Sequence, residues 1–149
     1  MLELRTTRRL RAAFPSSLAA EVDAALALVP PGPIETTDDD IGPVHVGGER
    51  LHIPSRIYSA EPRFDAPDLR TDTARTAVGC LYTRHSDGHL REKHVRAIIS
   101  SSEGWVPPFV VQLIGEYVVE IQEVIESNVA YLGQPSYVRF VAENPTFVE

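Results

Sequence analysis

Residues 108–126 constrain this chain more than any other stretch. At about 100° per residue, Phe109, Val110, Leu113, Ile114, Tyr117, Val118, Ile121, Val124 and Ile125 fall on one broad face, with Gln112, Glu116, Glu120 and Glu123 opposite. A stripe of this kind holds a helix in water only when its apolar side packs against something. The pattern therefore predicts a long amphipathic helix with other helices covering it. Pro107 or Pro108 suits its first turn, where a missing N–H costs no hydrogen bond. Residues 128–133 end it, and a short last helix over 136–143 stops at Pro145.

The partners of this helix are legible upstream. Thr71 or Asp72 can cap a helix running to about His85, with Ala74, Ala77, Val78, Leu81 and Tyr82 as its stripe. Ser86, Asp87 and Gly88 break it. A second helix over about 89–100 places Leu90, His94, Ala97 and Ile98 on one face. Nearer the N-terminus, residues 3–14 carry a weaker helical pattern through Leu4, Leu10 and Phe14. Ser16 and Ser17 can cap a helix over 18–29 with Leu18, Val22, Leu26 and Val29 inside, stopped by Pro30 and Pro31.

Between these helical regions lies the clearest strand pattern. Val44 and Val46 alternate with His45, and Leu51 and Ile53 with His52, around Gly47-Gly48. A two-residue loop pairs Val44 with Leu51, whereas a four-residue loop pairs His45 with His52. Both registers keep the apolar faces together. Such a hairpin is marginal alone and has to lie on a helical face. Residues 30–43, with Pro, Gly and Asp38, Asp39 and Asp40, read as a mobile linker. Pro54, Pro62 and Pro67 keep residues 54–68 extended. The expected organisation is a single domain over 1–149: linker at 30–43, β-hairpin within 44–58 and helical core over 71–145. The fold class is mainly α, antiparallel helical hairpins in a HEAT-like array or small orthogonal bundle, with one short β-hairpin.

Composition bounds the function. The 149 residues are 43% apolar and 23% charged, a globular balance. The net charge of -7 disfavours nucleic acid and anionic membrane surfaces, and fits a basic protein partner if there is one. The charge is segregated. Arg5, Arg8, Arg9 and Arg11 cluster at the start, whereas from Glu103 onward seven glutamates face only Arg139. Cys80 is the single cysteine, so no internal disulfide forms. No secretory leader and no span-length apolar run is visible, which gives a cytoplasmic expectation. The use of Arg with Lys93 as the only lysine matches a GC-rich bacterial genome.

Residues 74–101 resemble a HEAT-type helical repeat. Ala77, Leu81, the Ser86-Asp87-Gly88 turn, Leu90-Arg91, Ala97 and Ile98 carry the likeness. The family pattern places an aspartate in the turn ahead of an apolar residue and an arginine, which here are Asp87, Leu90 and Arg91. Asp87 can cap the second helix, and Arg91 is close enough to bond back to the turn. Residues 108–143 are a possible second unit whose turn lacks the aspartate–arginine pair. The resemblance implies a protein-binding scaffold without catalytic residues or a cofactor.

Several side chains invite a chemical reading. His85, Asp87, His89 and His94 are a metal-ligand candidate, but their spacing matches no established metal motif, and a pair of packed histidines under a helix turn with Asp87 as a cap is the stronger reading. Glu116, Glu120 and Glu123 lie opposite the wide apolar face, so they read as a solvated stripe available to a partner, with Arg84 and Arg91 at the neighbouring turn. His45 and His52 read as incidental, Gly47-Gly48 as a turn and Cys80 as a core residue. Trp105 reads as a clamp on the helix that follows it. The leading expectation is a non-catalytic protein-interaction or regulatory module. A small metal-dependent enzyme is the alternative. The width of the 109–125 face leaves a homodimer as a third reading.

Overall fold

The computed structural model of the protein describes residues 2–30, 32, 34, 35, 43–62, 71–114, 116 and 118–145, with the backbone alone at 2–6, 34 and 35. Its elements in chain order are α1 (Leu2–Arg11), α2 (Ala19–Leu26), β1 (Ile34–Glu35), β2 (Val44–Val46), β3 (Glu49–Leu51), β4 (Arg56–Ile57), α3 (Asp72–Tyr82), α4 (Gly88–Ile98), α5 (Pro107–Leu113), α6 (Val119–Ser127) and α7 (Pro135–Glu143). Short 3-10 turns at Ser16–Leu18 and Val129–Gly133 precede α2 and α7. The protein is mainly helical with one short β-hairpin, as the periodicity predicts. Among the described residues no helix is long and apolar enough to cross a membrane.

Helix α3 is the centre of the assembly. It packs on α2 and on α4, and α4 packs in turn on α6. All five residues of its expected stripe, from Ala74 to Tyr82, are buried, and Thr71 caps it by accepting from the Ala74 N–H at 3.1 Å. Close approach to α4 depends on Gly79. A Cβ there would stand 2.7 Å from Ile98 Cγ2, well inside contact distance. The inward face of α4 is rotated from the expected one: Arg91, His94, Val95 and Ile98 are buried, whereas Ala97 is exposed. The rotation follows from Arg91, whose guanidinium is bonded into the turn below the helix.

The hairpin adopts the two-residue register, with Val44 opposite Leu51 and His45 opposite Arg50. Gly47 at φ 58° and Gly48 at φ 82° supply the two positive φ values that a tight type I′ turn requires. His45 and His52 are therefore not paired. Both edges of the hairpin are covered. Asn144, just past α7, accepts from the His45 N–H and donates to the His45 carbonyl, both at 2.7 Å, as a third strand would. On the other side the His52 N–H donates to Ala12 O at 2.9 Å. The serines at 16 and 17 do not cap α2. Instead the Glu49 carboxylate, from β3, accepts from the Ser16 N–H at 2.9 and 3.2 Å.

Two further expectations change. Most of the 30–43 linker and all of 63–70 lie outside the described residues, but Ile34–Glu35 pairs antiparallel with Arg56–Ile57. Gly32 packs so closely on Ser59 that a Cβ would meet Ser59 Oγ at 2.7 Å. That part of the linker is docked. The single helix expected over 108–126 is two helices, broken between Leu113 and Val119. Gly115 and Tyr117, the latter assigned to the apolar face, lie outside the described residues. The core at this end is Phe109, Val110, Leu113, Ile121, Tyr137 and Phe140. Trp105 clamps it to the N-terminal region, edge-on to Phe14 at 5.6 Å.

Candidate functional site

The turn between α3 and α4 collects the charged residues that the sequence singles out. Asp87 caps α4 by accepting from the His89 N–H at 2.8 Å. Arg91, one turn into α4, reaches back and donates from Nη1 to the carbonyls of His85 at 2.8 Å and Ser86 at 3.1 Å. These are the cap and the back-bond expected of Asp87 and Arg91. The turn is also stitched to β4: the Ile57 N–H donates to Arg84 O and the Ser86 N–H to Ile57 O, each at 3.0 Å. Arg84 completes the stitching. Its Nε donates to Pro54 O at 3.2 Å and its Nη2 to Ser55 O at 2.8 Å.

Into this frame comes Glu116, from the break between α5 and α6. Its Oε1 accepts from Arg84 Nη1 at 3.1 Å and from Arg56 Nη1 at 3.2 Å. Its Oε2 stands 3.0 Å from Arg91 Nε, an ion-pair contact without hydrogen-bond alignment. Three guanidinium groups thus meet one carboxylate, whose side chain is 16% exposed, with Arg84 at 4% and Arg91 at 9%. Burial pulls the Arg84 pKa down to about 10; Glu116 opposes this, while Arg56 and Arg91 add to it. Arg84 therefore keeps its charge at neutral pH. Burial lowers Arg91 as well, again against the pull of Glu116.

This arrangement corrects the expected acidic stripe. Glu120 and Glu123 are exposed on α6, as a solvated stripe requires. Glu116 is not on that stripe, and Arg84 and Arg91 are buried instead of lying beside it. The carboxylate has turned inward because three cations wait there, and the helix is interrupted where it does so. Gln122, one turn into α6, attends to the freed carbonyls. Its Nε2 lies 2.6 Å from Glu116 O and 3.2 Å from both Leu113 O and Ile114 O.

The four metal candidates do not form a donor set. His85 Nδ1 accepts from the Asp87 N–H at 2.9 Å, which puts the ring proton on Nε2, and that atom donates to Ser59 O at 2.8 Å. Asp87 is occupied as a cap. His89 is exposed. His94 turns to a different carboxylate, with Nε2 2.7 Å from Glu61 Oε2. The rings of His85 and His94 instead flank Tyr82, at 5.8 and 5.4 Å between centroids. Among the described residues no group of three or more His, Cys, Asp or Glu side chains is placed to hold a metal ion. Cys80 is fully buried, which pushes its thiol pKa up and leaves it unreactive.

The surface tells a different story from the turn. Among the described residues the exposed large apolar side chains are Tyr58, Ile114, Val119, Val129, Tyr131, Val138 and Val141. All but Tyr58 lie in 114–141. Helix α7 buries Tyr137 and Phe140 on one side and exposes Val138, Val141 and Ala142 on the other. Arg56, Glu61 and Gln122, which organise the turn and the break, carried no signal in the sequence. Arg56 and Glu61 act over 60 and 33 residues, which no local pattern spans, and Gln122 over six to nine, beyond the reach of a helix cap.

No protein-family model, no characterised protein and no solved structure matches the chain.

Proposed function

We propose that this protein is a protein-interaction module without catalysis of its own, and that its partner binds the α6–α7 side. The observation that carries the reading is α7. A helix with apolar residues on both faces is usually covered on both, yet Val138 is 59% and Val141 41% exposed. The acidic residues Glu120 and Glu123 are exposed on α6, the helix that precedes α7 in the chain, so a partner that is basic as well as apolar suits this part of the protein. The HEAT-like reading of residues 74–101 is part of the same proposal, because the capped α3–α4 hairpin is the rigid unit such scaffolds present. Residues 108–143, with three helices, are less like a repeat.

The test is affinity capture with wild type, Val138→Asp and the pair Glu120→Lys with Glu123→Lys. These side chains are exposed, so their thermal midpoints should stay near wild type. A partner held by wild type and lost by both folded variants is the expected result. Retention of every partner by Val138→Asp would overturn the surface. A second copy is the second reading, favoured by the same two-faced helix. Light scattering separates the two: a dimer that Val138→Asp dissociates identifies the partner as the protein itself.

A further inference from the structure

Near the N-terminus, with no residue of α6 or α7 in its lining, the end of α1, the turn before α2 and strand β3 enclose an open cleft of about 320 Å³. Pro15 and Ala19 line it above the buried rings and branches of Phe14 and Leu51. Its walls are tied to one another by contacts distant in sequence. Arg11 bridges α1 to α2 through Asp23, with both Nε and Nη2 2.7 Å from Oδ1. Glu49 of β3 holds the Ser16 N–H, and the His52 N–H holds Ala12 O. Phe14 is fixed from behind by stacking on Phe109 at 5.7 Å. The shape is therefore set before anything binds.

The charges are not balanced within it. Asp23 and Glu49, the carboxylates that meet its walls, are both committed to the ties just described. Arg8 and Arg50 also line the cleft, are exposed, and have no hydrogen-bond or ion-pair partner among the described residues. Arginines at the end of α1 complement the helix dipole, but Arg50 stands on a strand and has no such explanation. An apolar-lined concavity with two guanidinium groups that bond to nothing among the described residues, and with one net positive charge once Arg11, Asp23 and Glu49 are counted, complements a molecule with an apolar body and one anionic group. The planar donor fork of arginine matches a carboxylate in particular. The volume lies at the lower end of the range for small-molecule clefts.

We propose that this cleft binds a small apolar carboxylate, its body against Pro15 and Ala19 and its carboxylate between Arg8 and Arg50. The site is independent of the α6–α7 surface and stands or falls separately from it.

The experiment is an amide chemical-shift titration of the full chain with octanoate, with octanamide and acetate as the uncharged and bodiless controls. Octanoate should shift the amides of Ala12, Phe14, Ser16 and Leu51. Losing one charge-assisted hydrogen bond weakens binding about tenfold or more, so octanamide should bind at least about tenfold more weakly. Arg8→Gln and Arg50→Gln are surface changes whose spectra should otherwise superimpose on wild type. Each should weaken octanoate more than octanamide, whose uncharged carbonyl has only a weaker hydrogen bond to give up. Shifts absent from those four amides would overturn the proposal. So would equal affinity for octanamide, or full affinity in the double variant Arg8→Gln, Arg50→Gln.

Discussion

The two inter-helix junctions that meet at Glu116 are built on opposite principles. The α3–α4 junction carries its instructions in its own residues: Asp87 caps α4, Arg91 bonds back to the turn and Gly88 follows the cap. The α5–α6 junction has almost no local instruction. Leu113, Ile114 and Val118 continue the helical stripe through it, and the N-cap of α6 is Val118, whose side chain caps nothing. Gly115 is the single local sign, and one glycine costs a helix only about 1 kcal/mol relative to alanine. What parts α5 from α6 is the inward turn of Glu116 onto Arg56, Arg84 and Arg91, with Gln122 receiving the carbonyls left behind. The comparison teaches that one junction is a stop signal and the other is a tertiary contact. The first would survive in a short peptide and the second would not.

The most direct way to break this contrast is Glu116→Gln. The substitution keeps the volume and leaves three guanidinium groups facing each other with no carboxylate between them. Removing one partner of a largely buried ion pair costs about 3 kcal/mol, a substantial share of the stability of a domain this size. Urea denaturation at neutral pH should show that loss. A cost under about 1 kcal/mol, within the range of an exposed pair, would mean that the node is decorative and that Gly115 alone sets the break.

Caps sharpen the contrast at a smaller scale. Gln122→Ala strips the side-chain donor from the Glu116 and Ile114 carbonyls at the α5–α6 junction, Leu113 O keeping the Glu116 N–H, whereas Asp87→Ala strips the cap from α4. Losing a helix cap costs about 1 kcal/mol, and each of the two carbonyl bonds lost contributes about 0.5–1.5 kcal/mol, so Gln122→Ala should be the more damaging. Their consequences should also differ in place. Hydrogen exchange should quicken only around 87–91 for Asp87→Ala. For Gln122→Ala it should quicken on both sides of the break, through the end of α5 and the start of α6. Equal, confined effects would make the two junctions alike.

The same division explains what the sequence does and does not disclose. The stripe of α3, its Thr71 cap, the Asp87 cap and the prolines opening α5 are local, and each is readable from spacing and residue type. The hairpin is readable too, but not its register, because both candidate loops bury the same side chains and only the paired positive φ of Gly47 and Gly48 separates them. The misassigned elements share one cause. Ser16 fails to cap because Glu49, 33 residues away, takes its hydroxyl as well as its N–H, Oγ donating to Oε2 at 3.4 Å. His94 leaves the metal candidates because Glu61, 33 residues away, takes its Nε2. Glu116 leaves the acidic stripe because Arg84 and Arg56, 32 and 60 residues away, take its carboxylate. Polar side chains with several possible partners are decided by whichever the fold brings nearest.

The Glu61–His94 contact yields the smallest expected effect, and it tests the α3–α4 side alone. Burial lowers the His94 pKa below its ordinary 6.5, and the opposing pull of Glu61 only partly restores it. The unfolded chain therefore takes up a proton near pH 6.5 while the folded protein does not, and stability falls as the pH drops from that point. For Glu61, burial raises the pKa, but the hydrogen bonds from Lys93 and His94 outweigh it, and the net value lies below 4.5. Its contribution is present above pH 4.5 and is lost as the pH falls through the lower folded value. Both groups act with the same sign, in successive windows on the acid side. Urea midpoints measured from about pH 7.5 to about pH 5.5 should decline in wild type and decline less in His94→Gln. The variant is less stable throughout because it loses the ring beside Tyr82, so the slope, not the midpoint, carries the answer. Parallel slopes would assign the acid sensitivity to another group and leave His94 as packing alone.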